Sequence, residues 1–220
     1  MLRRRMMVQS KKTLALLHFE GNFDDSSKFR RKTIFNEARC AEPIGAALAA
    51  FKQNLVLNKG GYVGINDIDL SSLNTWTIDF RWNKNGSYDQ YLFFTYGFSN
   101  PEKRGMKLLL GANKSINLQI WGINGQQLLL QTDGPDWATN PSWHIAIVKN
   151  GLSYKLFING LLKKQMDWND SMTSSSIFYI GYDPSSPLTR LNSTLDEFRI
   201  SNVARWDMNF KPSVEPYGPD

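Results

Sequence analysis

The chain has 220 residues, of which 41% are hydrophobic and 21% charged, a balance that excludes a disordered or low-complexity polymer and allows one sizeable core. Its single cysteine, Cys40, excludes an internal disulfide and is compatible with a reducing compartment. The net charge of +6 could suggest nucleic acid, but Arg3, Arg4, Arg5, Lys11 and Lys12 all fall in the first twelve residues and the rest of the chain is nearly neutral. Residues 1–12 therefore read as a basic arm, either a solvated terminus or an anchor for an acidic partner, membrane lipid or packaged nucleic acid. No sequence-specific nucleic-acid recognition is expected, and residues 13–217 read as one domain without internal repeat.

In chain order, residues 13–19 form the first expected strand. Basic residues precede this apolar run, but it is too short for a secretory core and contains His18, so no export signal is expected. No other stretch reaches the length of a transmembrane segment. Polar residues 22–31 follow as a loop, and residues 41–51 are the one helical candidate, weakened by Pro43 and Gly45. Residues 54–66 read as two strand segments meeting at a Gly60-Gly61 turn. Trp76, Ile78, Phe80 and Trp82 then alternate with Thr77, Asp79 and Arg81, the pattern of a half-buried strand.

Four more strands are expected at 91–98, 106–110, 116–121 and 126–132, the last two joined through Asn124-Gly125. Asn-Gly supplies the positive φ that a two-residue type I′ hairpin needs. The same dipeptide at Asn150-Gly151 and Asn159-Gly160 makes 143–149, 152–158 and 161–168 a three-stranded meander, with closing strands at 176–181 and 194–201. Roughly twelve short strands with closely spaced turns predict an all-β chain, a two-sheet antiparallel β-sandwich or jelly roll.

The string Ser193-Thr194-Leu195-Asp196-Glu197-Phe198-Arg199-Ile200-Ser201-Asn202-Val203-Ala204-Arg205-Trp206, continued by Asn209-Phe210-Lys211-Pro212, resembles the closing strand of laminin-G-like domains of the concanavalin A-like lectin/glucanase superfamily. Three further anchors stand in that family's order. They are Leu16-Leu17-His18-Phe19-Glu20-Gly21 with Asp24-Asp25-Ser26-Ser27, the Trp76 to Trp82 strand, and Trp143 to Gly151 running on to Phe157-Ile158-Asn159-Gly160. The resemblance implies a concanavalin A-like jelly roll. Its "D-E-F-R-I-S-N-V-A-R" ending is most similar to modules of bacteriophage tail and other virion proteins and of bacterial surface proteins. That implies a virion protein assembled in the host cytoplasm, with a bacterial cell surface as the alternative location.

The same resemblance implies a structural calcium held by the loop after the first strand and by the closing strand, at Asp24, Asp25 and Asp196. The alternative is that Asp24 and Asp25 only start a turn while Asp196 makes a buried hydrogen bond or ion pair. Ser27 followed by Lys28 departs from the family's "D-x-S-G", and a neighbouring ammonium lowers cation affinity. In the glucanase branch, catalysis needs two carboxylates roughly 5–9 Å apart, carried on one strand as Glu-x-Asp-x-(x)-Glu. No such string occurs. Asp67 and Asp69 share a face without a glutamate, and the two histidines, His18 and His144, lie in expected strands.

A sugar site would pair an exposed aromatic ring with amides and carboxylates. The best candidates are Asp136, Trp137 and Asn140 in one loop and Trp168, Asn169 and Asp170 in another, each equally compatible with an ordinary turn. The expected function is thus a non-catalytic module that binds glycans or a cell-surface receptor. Its alternatives are a purely structural assembly protein docking on other virion proteins or on itself as a homo-oligomer, anchored by its arm, and a glycoside hydrolase.

Overall fold

The computed structural model describes residues 13–42, 53–84, 90–96, 104–111, 115–133, 142–181 and 193–218. Within them lie thirteen strands and no helix. In order these are β1 (Thr13–Leu17), β2 (Thr33–Ala41), β3 (Asn54–Asn66), β4 (Thr75–Lys84), β5 (Gln90–Tyr96), β6 (Arg104–Leu110), β7 (Ser115–Trp121), β8 (Gln127–Asp133), β9 (Ser142–Asn150), β10 (Ser153–Ile158), β11 (Leu161–Asp167), β12 (Ile177–Ile180) and β13 (Ser193–Ser201). The helical candidate at 41–51 contributes Ala41 to β2, and its residues from Pro43 onward lie outside the described residues, as does the basic arm with Arg3, Arg4, Arg5, Lys11 and Lys12.

All pairings are antiparallel and form one continuous path, β11-β10-β9-β4-β13-β3-β12-β5-β6-β7-β8, with β1 added on β13 and β2 on β3. The path folds over on itself. Phe80 on β4 meets Phe93 on β5 at 6.3 Å between ring centroids, and Phe198 on β13 meets Phe178 on β12 at 5.5 Å, although these strands are not neighbours in the sheet. The ends β11 and β8 also return into contact, so the two halves face each other as a β-sandwich. Trp76, Ile78, Phe80 and Trp82 all point into the core between the halves, as the alternation predicts.

The meander β9-β10-β11 and the hairpin β7-β8 form where the Asn-Gly pairs place them. Only Asn159-Gly160 has both residues at positive φ, the type I′ requirement, while at the other two pairs the glycine alone does. Two expectations for the first third of the chain fail. Residues 54–66 are not two segments but the single strand β3, and Gly61 serves close approach rather than a turn, since a Cβ there would lie 2.3 Å from Glu37 O. Its partner β2 was not expected, because none of its residues is buried and it kinks at Glu37, where φ is 47° and the register slips against β3.

The outer face of β4, β9 and β10 is covered by the segment 202–217, which has no regular structure. Trp206 and Phe210 stack on each other at 3.9 Å and close a second, small core over Ala146, Val148 and Phe157. Thr77 Oγ1 donates to Val203 O (2.7 Å), and Arg205 donates to Ser201 Oγ (2.8 Å) and Thr13 Oγ1 (3.0 Å), so polar bonds fix how the segment crosses the sheet. The main core centres on Phe198, whose ring touches Phe80, Phe93 and Phe178. Replacing it by alanine removes contacts to both halves; the Phe198→Ala variant is expected to lose about 3–5 kcal/mol in urea unfolding, and a loss below about 1 kcal/mol would contradict this packing.

Candidate functional site

The loop after β1 is organised by one carboxylate. Asp25 Oδ1 accepts from Leu16 N and Ser27 N, both at 2.9 Å, and Oδ2 accepts from Ser27 Oγ and Arg31 N, both at 2.8 Å. A carboxylate offers about four lone-pair sites, so these donors fill it. Arg31 then locks the loop from the other side, donating to Leu14 O at 2.7 Å and lying over the Phe29 ring at 4.5 Å. Asp24, one residue away, is exposed.

On β13 the core receives Leu195, Phe198 and Ile200. The spacing of three and then two comes from a bulge: Asp196 opposes Arg81 and Arg199 opposes Asp79, so β13 carries one residue more than β4 across the same span. Glu197 sits at φ 51° within it. The consequence is that Asp196 and Glu197, neighbours in sequence, both turn away from the core. Glu197 Oε1 pairs with His18 Nδ1 at 2.7 Å, and Oε2 accepts from Tyr217 N at 2.6 Å. Asp196 accepts from Glu197 N at 2.8 Å, and the Asn54 amide donates to its other oxygen at 3.2 Å when its nitrogen faces that way.

These surroundings set the charges. Burial, reinforced by the neighbouring Glu197, pushes the Asp196 carboxyl up to about 8. The hydrogen bond to Glu197 raises His18 against the opposing effect of burial. Further along the outer face, Asp79 is fully buried and takes a two-pronged bond from Arg199 at 3.0 and 2.9 Å. Burial works to raise Asp79, but the His144 hydrogen bond and the Arg199 charge outweigh it and hold the group below the usual carboxylate range. His144 Nε2 reaches Tyr217 Oη at 2.9 Å, and Arg199 lies 3.7 Å over the Tyr217 ring. Burial, with Asp79 nearby, raises the Tyr217 phenol well above its ordinary value. Both histidines therefore hold Tyr217, one through its backbone by way of Glu197 and one through its hydroxyl.

Two clefts open beside this framework and adjoin at Ser26. One, of about 530 Å³, is lined by Asp24, Asp25, Arg30 and Arg31, and the other, of about 440 Å³, by His18, Glu20, Asn22, Glu197 and the segment residues Pro216 and Tyr217. Together they form a groove in which carboxylates, guanidinium groups, an amide and an imidazole alternate. Phe29, 42% exposed, lies under Arg31, which lines the first cleft. Sequence reasoning reached Asp24 and Asp25 but missed Glu197, Tyr217 and the arginines as groove walls, because nothing local signals which loops meet there or that residues 202–217 fold back over the sheet.

The other expected residues are placed differently. Trp168 packs its ring against Tyr154 at 5.9 Å and is buried. Asp170 clasps the β7-β8 turn, accepting from Asn124 Nδ2 at 2.7 Å, while Asn169 is exposed beside it over a cavity of about 120 Å³. Asp136, Trp137 and Asn140 lie outside the described residues.

Of the three aspartates implied for calcium, Asp25 has its lone pairs engaged by four hydrogen-bond donors, Asp24 is exposed, and Asp196 is buried with its carboxyl pushed up to about 8. Among the described residues no group of three or more His, Cys, Asp or Glu side chains is arranged around a metal position. A carboxyl at about 8 when folded, against about 4 when unfolded, keeps a proton that the unfolded chain loses, so stability falls as pH rises between those values. The raised His18 acts in the same direction above its unfolded value. The Asp196→Asn variant keeps the bond from Glu197 N, replaces the Asn54 contact by donating its own amide nitrogen to Asn54 Oδ1, and drops the charge. It is expected to melt about 5 °C or more above the parent at pH 8, to converge with it near pH 4, and to show no response to a chelator; a lower melting temperature at pH 8, or one that calcium restores, would overturn the assignment.

The fold and the closing-strand pattern agree with known proteins. Residues 57–207, more than half of the chain, match the laminin-G-like family described as the concanavalin A-like lectin/glucanases superfamily. Among solved structures, the binding domain of botulinum neurotoxin serotype D superposes with a TM-score of 0.68 at 14% identity, over 88% of this chain and 49% of that one. The binding domain of Paraclostridial Mosquitocidal Protein 1 gives 0.69 at 15% identity, over 88% and 49%. The receptor binding domain of the botulinum neurotoxin C/D mosaic serotype gives 0.68 at 14%, over 89% and 49%. The chain thus spans about half the length of these structures, and at such identity they share its fold. No curated protein matches the sequence. The chain belongs to the laminin-G-like family of the concanavalin A-like lectin/glucanase superfamily.

Proposed function

We propose that this chain is a non-catalytic binding module whose groove beside β1 takes a hydroxyl-rich ligand, a glycan or a glycosylated cell-surface receptor. The observation that carries the reading is the groove lining. Carboxylate, amide, imidazole and guanidinium groups from Glu20, Asn22, His18 and Arg30 present alternating acceptors and donors, as vicinal hydroxyls require. Superfamily membership supports binding, and the similar solved structures are binding domains. We place the module on a virion, as a phage tail, fibre or decoration protein, on the likeness of its "D-E-F-R-I-S-N-V-A-R" ending to such modules.

A second reading, assembly onto other virion proteins or onto a second copy, draws on β11. This strand ends the sheet, every residue of it is exposed, and Leu161, Leu162 and Met166 present apolar side chains there. Binding and assembly are compatible within one protein.

A glycan array tests the first reading. Saturable, salt-insensitive binding to at least one glycan is expected, and Asn22→Ala and Glu20→Gln are each expected to weaken it roughly tenfold or more with melting temperature unchanged. A flat array refutes it. Binding that survives both substitutions but is lost in Trp137→Ala would move the site to the loop outside the described residues and refute the groove.

A further inference from the structure

A third cleft, of about 310 Å³, lies against the outer face of β4 and β9 where residues 212–214 cross it. Its lining differs in kind from that of the groove: Arg81, His144 and Lys211 contribute cationic or cationisable groups, Asn159 and Ser142 contribute polar ones, and no lining residue is a carboxylate. The fold spends the acceptors of this wall on itself. Asn159 Oδ1 accepts from His144 N at 2.8 Å, which turns the amide nitrogen away from that bond. Arg81 Nη2 donates to Ser213 O and so ties the cleft wall to the strand beneath it. What remains for a ligand is the Asn159 amide N–H, the exposed Lys211 ammonium and the positive field of Arg81.

A second observation points the same way. His144 is 3% exposed and lines the cleft, and while its Nε2 is engaged by Tyr217 and faces Asp79, its Nδ1 is buried without any hydrogen-bond partner. Leaving a buried ring nitrogen unpartnered is costly, and native proteins rarely do so without a functional reason. With Nε2 donating toward Asp79, Nδ1 carries a proton only in the imidazolium, and in that form it is a further donor beside the cleft.

We propose that this cleft is an oxyanion site, taking a sulfate or phosphate group that is either free or esterified to a sugar. Lys211 and Arg81 supply the charge, Asn159 Nδ2 supplies a directed donor, and His144 Nδ1 adds a second when the ring is an imidazolium. The site is separate from the groove and does not depend on the groove's occupant. The segment 202–217 walls both, with Pro212, Ser213 and Val214 here and Pro216 and Tyr217 there.

Thermal melts and calorimetry of the full chain with inorganic sulfate and inorganic phosphate test this, at ionic strength held constant with sodium chloride. A saturable rise in melting temperature is expected, abolished in Lys211→Glu and weakened at least tenfold in Asn159→Asp, which keeps the oxygen that His144 N uses and removes the donor. Lys107→Gln, a charge change on the opposite sheet, is expected to bind as the parent does. Titration with a sulfated monosaccharide and its unsulfated form separates the two sources: a gain of tenfold over inorganic sulfate assigns the ester, and no gain assigns the free ion. A rise no larger than sodium chloride produces, or one that persists unchanged in Lys211→Glu, overturns the proposal, whatever the glycan array shows.

Discussion

Core contacts on β13 come from Leu195, Phe198 and Ile200, and the irregular spacing of these three is the constraint on which the outer face of the sandwich depends. A regular strand would send Asp196 and Glu197 to opposite sides, burying one carboxylate in hydrocarbon at a cost of many kcal/mol. The bulge sends both outward and places Arg199 over Asp79 on β4. Holding Glu197 at positive φ costs about 1 kcal/mol or more, offset by the bonds its carboxylate makes to His18 and Tyr217 N. From that one extra residue follow the anchor for β1 through His18 and the anchor for the chain end through Tyr217.

Those two anchors explain why a groove exists at all. β1 adds to the second half of β13, whose first half pairs with β3, so the loop after β1 passes beside the point where the partner changes. Asp25 draws this loop into a compact turn and keeps it off the sheet, while Tyr217 brings the chain end against the other flank. The space between is walled by polar groups because the loop after β1 and the chain end have no core-facing side, and the strand residue Glu197 is turned outward by the bulge. Hydrophobic packing of Trp206 and Phe210 attaches the covering segment, yet such contacts are non-directional and would tolerate sliding. The directional bonds from Thr77, Arg205 and Glu197 set its register.

Much of this architecture is legible in the sequence wherever a side chain's partner lies on the next strand. The alternation from Trp76 to Trp82 and the three Asn-Gly turns encode local geometry, and the structure shows the strands they specify. β2 is illegible because Phe35, Asn36 and Glu37 are exposed and their strand is bent, so its pairing with β3 leaves no periodic trace. The groove is illegible for a different reason: His18 and Glu197 stand 179 residues apart, and the family likeness that flags both segments carries no information on which atoms meet. Trp168 shows the converse error, since loop position suggested an open ring while packing on Tyr154 draws it into the core.

The buried charges under the covering segment follow the same logic of specification over strength. An Asp–Arg pair taken fully out of water gains little net stability against an apolar pair of similar volume, because desolvation consumes most of the attraction. Asp79 and Arg199 nonetheless do what leucines could not. They leave directed bonding capacity for His144 and Tyr217, which admit only one placement of the chain end. Because that chain end walls both the groove and the cationic cleft, the geometry of two ligand-sized spaces is referred to one buried carboxylate. Loss of Asp79 alone would strand Arg199 without its partner and free the segment to shift, so the walls of both spaces would move together although Asp79 lines neither.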